Sequence, residues 1–251
     1  SVIIANHISY LDPALLATYL PEEMTFAINT TISKASWVRP FLKMAKTLPV
    51  DPSSAMAIKT LIKEVQKDRK IAIFPEGRIS MTGSLMKVYE GPGMIAEKSD
   101  ATILPVRIDG TQFTHFSKLK NILKRRIFPK ITITILPPVK FSSLEHMDNK
   151  AKRKYMGQAL YDIMADMIFE SSDYKNTLFQ SLIEAAKIHG ANKQIIQDFA
   201  NNSVTYKQLI LKSLTLANLI KKETADASYL GLMLPNMTDS IVTFYAMQAC
   251  M

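Results

Sequence analysis

Two short segments of this chain hold the residue types that acid–base and anion chemistry need. The first is Asn6-His7-Ile8-Ser9-Tyr10-Leu11-Asp12-Pro13. It sets an imidazole and a carboxylate five positions apart. A carboxylate bonded to one ring nitrogen fixes the imidazole tautomer, and the other nitrogen is then free to take a proton from a hydroxyl. Proline suits the first turn of a helix and keeps the residue before it out of the helical region. A helix is therefore expected from Pro13, with Asp12 as its N-cap. The loop Asn6–Leu11 would let His7 fold back onto Asp12. Taken alone, the same spacing also describes a structural histidine and an ordinary cap.

The second segment is Phe74-Pro75-Glu76-Gly77-Arg78. Gly77 lets the backbone approach a ligand closely. Arg78 carries a planar fork that matches a phosphate. Ser80 and Thr82 add hydroxyls. A Pro/Gly turn with a surface Glu–Arg pair is the alternative.

These loops need elements to hold them. Val2–Ala5 and Ile71–Phe74 read as buried strands, and each ends where one chemical segment begins. Further strands are expected at Met24–Ile28, Thr102–Ile108 and Ile131–Leu136. Helices are expected at Pro13–Leu20, Gly91–Lys98 and Lys150–Ser172. A helix over Ser53–Lys67 would gather Ala55, Ile58, Leu61, Ile62 and Val65 on one face. Such alternation predicts a layered α/β domain with a mostly parallel sheet. In sheets of that kind functional loops lie at the carboxyl ends of strands. Composition shifts near Asp173, which places a boundary between residues 1–172 and 173–251.

The chain has 251 residues and a net charge of +9. Residues 1–172 carry 24 Lys and Arg against 16 Asp and Glu, so nearly all the excess lies there. A basic face selects anionic partners. One cysteine, Cys250, excludes an internal disulfide framework, and no metal-type spacing is present. No uninterrupted apolar run is long enough to span a bilayer. The chain opens and closes inside apolar runs, as a piece of a longer protein would.

Together the two segments resemble the glycerolipid acyltransferase family. Asn6-His7 with Asp12 is similar to its first motif, and Phe74-Pro75-Glu76-Gly77-Arg78 to its third. Leu104-Pro105-Val106 is similar to its fourth. The likeness is closer to a bifunctional bacterial branch that joins a 2-acylglycerophosphoethanolamine acyltransferase to an acyl-(acyl-carrier-protein) synthetase. Leu48-Pro49-Val50-Asp51-Pro52, Thr82–Lys87, Leu104–Ile108, Thr114–Ser117 and Lys124-Arg125-Arg126 carry it. The third motif lacks the family's usual threonine. Val50-Asp51-Pro52 stands where the second motif usually has an arginine. Tyr89-Glu90 stands where many relatives have a lysine pair.

The resemblance implies an O-acyltransferase. His7 would be general base on the free hydroxyl of a lysophospholipid, which attacks an acyl carrier protein thioester. Asp12 would orient His7. Glu76, Gly77, Arg78 and Ser80 would hold the acceptor. No metal or cofactor is implied for this step. The implied setting is a membrane surface, at the cytoplasmic face of a bacterial inner membrane. A hydrolase using the same His/Asp pair on water is a competing reading, although no Gly-x-Ser-x-Gly turn is present. A non-catalytic lipid- or carrier-binding module is another.

Two further segments carry expectations. Around the basic segment Lys118–Lys130, Phe113, Phe116, Leu119 (or Ile122), Leu123 and Ile127 recur near helical spacing among Lys118, Lys120, Lys124, Arg125, Arg126 and Lys130. A basic amphipathic helix of this kind suits an anionic membrane, an acidic carrier protein or plain solvent. No motif for nucleic acid accompanies it. Residues 173–251 resemble the opening of an adenylate-forming synthetase: Thr205-Tyr206-Lys207-Gln208-Leu209, a helix, a strand Tyr229–Pro235 ending at Asn236, then a helix. The Ser/Thr/Gly-rich phosphate loop of that family is absent. ATP and Mg would belong to the missing part, and this domain is expected to be partial.

Overall fold

The computed structural model describes every residue except 22, 35–41, 44, 52–53, 120–121, 142–146, 226, 228 and 251. Pro52, Ser53 and Lys120 of the segments above lie outside the described residues. The described chain divides into two compact units. The first holds residues 1–121 and 125–172, and the second holds 122–124 and 173–251.

The first unit is built on a six-stranded sheet. Its strands are β1 (Val2–Ala5), β2 (Met24–Asn29), β3 (Lys46–Val50), β4 (Lys70–Ile73), β5 (Ile103–Asp109) and β6 (Thr132–Ile135). Their order is β3-β2-β4-β1-β5-β6. All neighbours are parallel except β5 and β6. The helices are α1 (Asp12–Tyr19), α2 (Thr30–Ser33), α3 (Ala55–Gln66), α4 (Gly91–Lys98) and α5 (Asn149–Glu170).

Strand β1 shows why the sheet is layered. Successive side chains of a strand point to opposite faces. Val2 and Ile4 pack with Leu61, Val65, Ile95, Leu160, Met164 and Met167 of α3, α4 and α5. Ile3 and Ala5 pack with Leu16 of α1 and with Phe26, Ala72, Val106 and Ile108. A strand buried on both faces reads as a continuous apolar run, and Val2-Ile3-Ile4-Ala5 is one. Because β1 lies between β4 and β5, the loops after all three strands emerge side by side.

Three expectations need correction. Helix α1 begins at Asp12, so that residue lies within the first turn and Leu11 precedes it. The stretch 114–130 forms no helix among the described residues. Its amides and carbonyls are taken by distant or turn partners. Phe116 O accepts from Tyr10 N (3.1 Å), and Arg126 N donates to Phe113 O (2.8 Å). Leu119 N donates to Ser117 Oγ (3.1 Å), and Leu119 is buried. Tertiary pairing here overrides helical spacing.

The third correction lies in the second unit. That unit contains α6 (Leu178–His189), β7 (Gln194–Gln197), β8 (Ser203–Thr205), α7 (Tyr206–Glu223) and α8 (Thr238–Cys250). Strands β7 and β8 pair antiparallel. Thr205 and Gln208 form a capping box at the start of α7. Phe179, Leu182, Val204, Leu209 and Val242 form the unit's own core. The expected strand Tyr229–Pro235 is not formed. It joins neither β7 nor β8, and a strand without a ladder partner has no bonds to hold it. Tyr229 and Met233 are almost wholly exposed.

Gly110, directly after β5, turns the chain at φ +93°. A Cβ there would lie 2.0 Å from Lys130 O. Gly110→Ala therefore meets both left-handed strain and a backbone clash. We expect it to lower unfolding stability by at least about 2 kcal/mol, measured by urea denaturation. A loss below about 0.5 kcal/mol would contradict this close approach.

Candidate active site

The site grows from the loop that leaves β1. Asn6 is buried and fastens this loop sideways to β5. Its amide donates to Ile108 O (2.8 Å) and its carbonyl accepts from Ile108 N (2.7 Å). The chain then folds back around one carboxylate. Asp12 Oδ2 accepts from Ile8 N (2.7 Å) and Ser9 N (2.8 Å). The same oxygen lies 3.0 Å from His7 Nδ1. Asp12 Oδ1 accepts from Thr111 Oγ1 at 2.8 Å. Asp12 is fully buried. Its carboxylate thus closes the preceding loop, where the sequence suggested an N-cap for the helix that follows.

This arrangement fixes His7. With Asp12 serving as acceptor, Nδ1 carries the hydrogen and Nε2 keeps its lone pair. No hydrogen bond to Nε2 occurs among the described residues. The ring stacks on Phe74, with centroids 4.1 Å apart and 21° between planes. The His7 side chain retains 15% exposure. A held imidazole with one open basic nitrogen is what general-base chemistry requires.

The loop after β4 meets the same place from the side. Glu76 Oε1 accepts from His7 N (3.1 Å) and Oε2 accepts from Met86 N (3.2 Å). Glu76 is 2% exposed. Burial pushes its carboxyl above the usual 4.5, against the two amide bonds and the neighbouring His7 and Arg107. The sequence put Glu76 among the acceptor's ligands. Its oxygens instead hold two backbone amides, and a carboxylate has no attraction for a phosphate. Ser80 was given the same role, and its contacts are also internal. Its amide donates to His7 O (2.7 Å), and its hydroxyl accepts from Gly83 N (2.9 Å) and donates to Ser84 O (3.2 Å).

Gly77 turns at φ +66°, and a Cβ there would meet the Tyr89 ring at 3.2 Å. That turn leaves Gly77 and Arg78 exposed. Four of the six expected site residues therefore interlock: His7, Asp12, Glu76 and Ser80. Gly77 and Arg78 lie on the exposed part of the same loop. Thr111 was missed, and nothing in its surroundings marks a partner 99 positions away. Asn6 and Phe74 stood inside the motifs, but their roles as tether and ring platform come from tertiary contacts. Arg107 lies three-quarters or more buried on β5, 3.6 Å from Asp109. Desolvation lowers its pKa against three neighbouring carboxylates, Asp109, Glu76 and Asp12.

Comparison with known proteins bears on this geometry. Residues 1–109 match a family model described as acyltransferase. The matched segment runs from β1 to the end of β5 and contains every site residue named above except Thr111. A 1-acyl-sn-glycerol-3-phosphate acyltransferase of Cocos nucifera is 29% identical over 150 residues, which are 58% of this chain and 47% of that protein. A chloroplastic 1-acyl-sn-glycerol-3-phosphate acyltransferase of Arabidopsis thaliana is 24% identical, over 61% of this chain and 43% of its own length. The chain thus spans less than half the length of either relative. The crystal structure of a 1-acyl-sn-glycerophosphate acyltransferase from Thermotoga maritima aligns with a TM-score of 0.48 and 22% identity. It covers 70% of this chain and 68% of its own. The acyltransferase match ends before residues 173–251.

Because burial raises Glu76, the unfolded chain releases that proton first as pH rises. Stability from the protonated form is full below 4.5 and is lost as pH climbs through the folded-state value. Glu76→Gln removes this titration. We expect the stability difference between wild type and variant to move against wild type as pH rises from below 4.5 toward neutrality. A difference that stays flat with pH would contradict the buried assignment.

Proposed function

We propose that the first unit, residues 1–172, is an O-acyltransferase acting on a lysophospholipid. The reading rests on one observation above all. His7 Nδ1 is bonded to buried Asp12 at 3.0 Å, and Nε2 faces no protein partner among the described residues. In this mechanism Nε2 takes the proton from the free hydroxyl of the acceptor. The hydroxyl oxygen attacks the carbonyl carbon of an acyl thioester. The C–S bond breaks, and the thiolate leaving group recovers a proton from the imidazolium. Asp12 keeps the ring in one tautomer and stabilises the imidazolium. Covalent attachment of the acyl group to the protein is not required.

Arg78, exposed beside the Gly77 turn, is assigned to the acceptor's phosphate. Glu76 and Ser80 are positioning residues, since each bonds the His7 backbone. The relatives named above point to glycerolipid acceptors as a class. Within that class we infer 2-acylglycerophosphoethanolamine as acceptor and acyl carrier protein thioester as donor, from the motif pattern described under Sequence analysis. On the same basis residues 173–251 are the start of an acyl-adenylate synthetase domain. Its ATP and Mg sites would lie in sequence beyond this chain. The place of action is a membrane surface, the cytoplasmic face of a bacterial inner membrane. No helix among the described residues is long and apolar enough to cross a membrane.

A labelled acyl carrier protein thioester and 2-acylglycerophosphoethanolamine test the reading together. Wild type should form diacyl product, and His7→Ala should lose about 10²–10⁴-fold in rate. Free fatty acid as the main product would favour a hydrolase. A mutant as active as wild type would remove His7 from the mechanism, and no turnover by either protein would favour a binding module.

A further inference from the structure

Beside the site lies a second feature that the chemistry above does not use. Between Asp109 and Glu145 the chain has seven Lys or Arg and no acidic residue. Within this stretch, Ile127 and Phe128 are 81% and 95% exposed, and nearby Phe116 is 55% exposed. Isolated exposed apolar residues are ordinary. Here two adjacent ones, followed by Pro129, project between Arg126 and Lys130, with Arg125 just before them. All three cations are exposed.

The tip is pinned at both ends. Arg126 N donates to Phe113 O at 2.8 Å, and its guanidinium lies 4.9 Å from the Phe113 ring centre. At the other end the backbone of Lys130 lies close against Gly110. The segment between them is thus presented on a fixed base, so little order remains to be gained on binding. Under it lies a pocket of about 220 Å³, whose walls include Leu11, Phe116, Phe128, Pro129 and Ile131. Leu11 directly precedes the buried Asp12, and Tyr10 N bonds Phe116 O. The tip and Leu11, which belongs to the loop after β1, therefore line the same pocket.

We propose that residues 125–130, with Phe116, form a bilayer-docking surface. Ile127 and Phe128 enter the acyl-chain boundary of an anionic membrane, and Arg125, Arg126 and Lys130 stay at the lipid phosphates. Charge complementarity selects an anionic partner. The bare aliphatic and aromatic tip selects a lipid phase over an acidic protein, because buried apolar area and surface charge together are what hold interfacial segments. The acyltransferase reading supplies only the purpose, delivery of a lysophospholipid to His7 from the adjoining bilayer. Docking itself is measured without turnover.

The test is co-sedimentation of the 251-residue chain with phosphatidylcholine vesicles, with and without phosphatidylglycerol. Wild type should bind the anionic vesicles more tightly, and salt should weaken that binding. Ile127→Asp with Phe128→Asp should lower the partition coefficient about tenfold or more. Arg125→Glu with Lys130→Glu leaves the apolar tip intact and should lower it by about fivefold per charge lost, or more. Phe128→Trp should give an added blue-shifted emission that brominated acyl chains quench. Circular dichroism checks that each variant is folded. Unchanged vesicle binding in both double variants, or no quenching, overturns the proposal. So does loss of acyl carrier protein binding with vesicle binding intact, which would assign the tip to that acidic protein. Vesicle binding that depends on the tip in a chain with no acyl transfer would overturn the functional reading and leave docking standing. Acyl transfer with tip-independent vesicle binding would do the reverse.

Discussion

The candidate site depends on burying the carboxylate of Asp12 with its acceptors filled. A carboxylate taken out of water and left unpaired costs several kcal/mol. Asp12 avoids this with two backbone amides, one hydroxyl and the His7 ring. Each hydrogen bond to a charged group is worth about 1.5–3 kcal/mol. The same bonds that satisfy Asp12 bend residues 7–12 into a closed loop. The position of the imidazole therefore follows from satisfying a buried charge.

A second buried carboxylate supports the first. Glu76 bridges the His7 amide and the Met86 amide, so the loops after β1 and β4 share one anchor. Ser80 adds a backbone bond from the same side. Asn6 and Thr111 tie the loop to the far side, at β5 and the turn after it. Three adjacent parallel strands thus hold one histidine from two directions. Such a scaffold leaves the ring little freedom, and the stacked Phe74 removes more. The exposed Gly77 and Arg78 lie outside this rigid set and are free to meet a ligand.

Much of this was legible in the sequence. Continuous apolar runs marked β1 and β4, since both faces of a central parallel strand are buried. The His7–Asp12 pair was legible because both partners lie in one short loop before a proline-started helix. Glu76 was read as an acceptor ligand, and its bonds to two backbone amides were not legible, since a sequence does not reveal which carboxylate faces inward. Thr111 was invisible for the same reason. Apolar spacing in Lys118–Lys130 suggested a helix, yet Phe116 and Arg126 exchange backbone bonds with Tyr10 and Phe113. Periodicity records where apolar residues stand, and it cannot record a competing long-range bond. Residues Tyr229–Pro235 have a strand's composition without a neighbour, and a ladder needs two sides.

Nitrogen-15 NMR of the His7 ring tests the central claim most directly. Asp12 should hold the neutral imidazole with its hydrogen on Nδ1, leaving Nε2 with the chemical shift of an unprotonated ring nitrogen. Asp12→Asn should weaken that preference and mix the two tautomers. A neutral ring in wild type with its hydrogen on Nε2 would contradict the account, because no basic nitrogen would then face the acceptor.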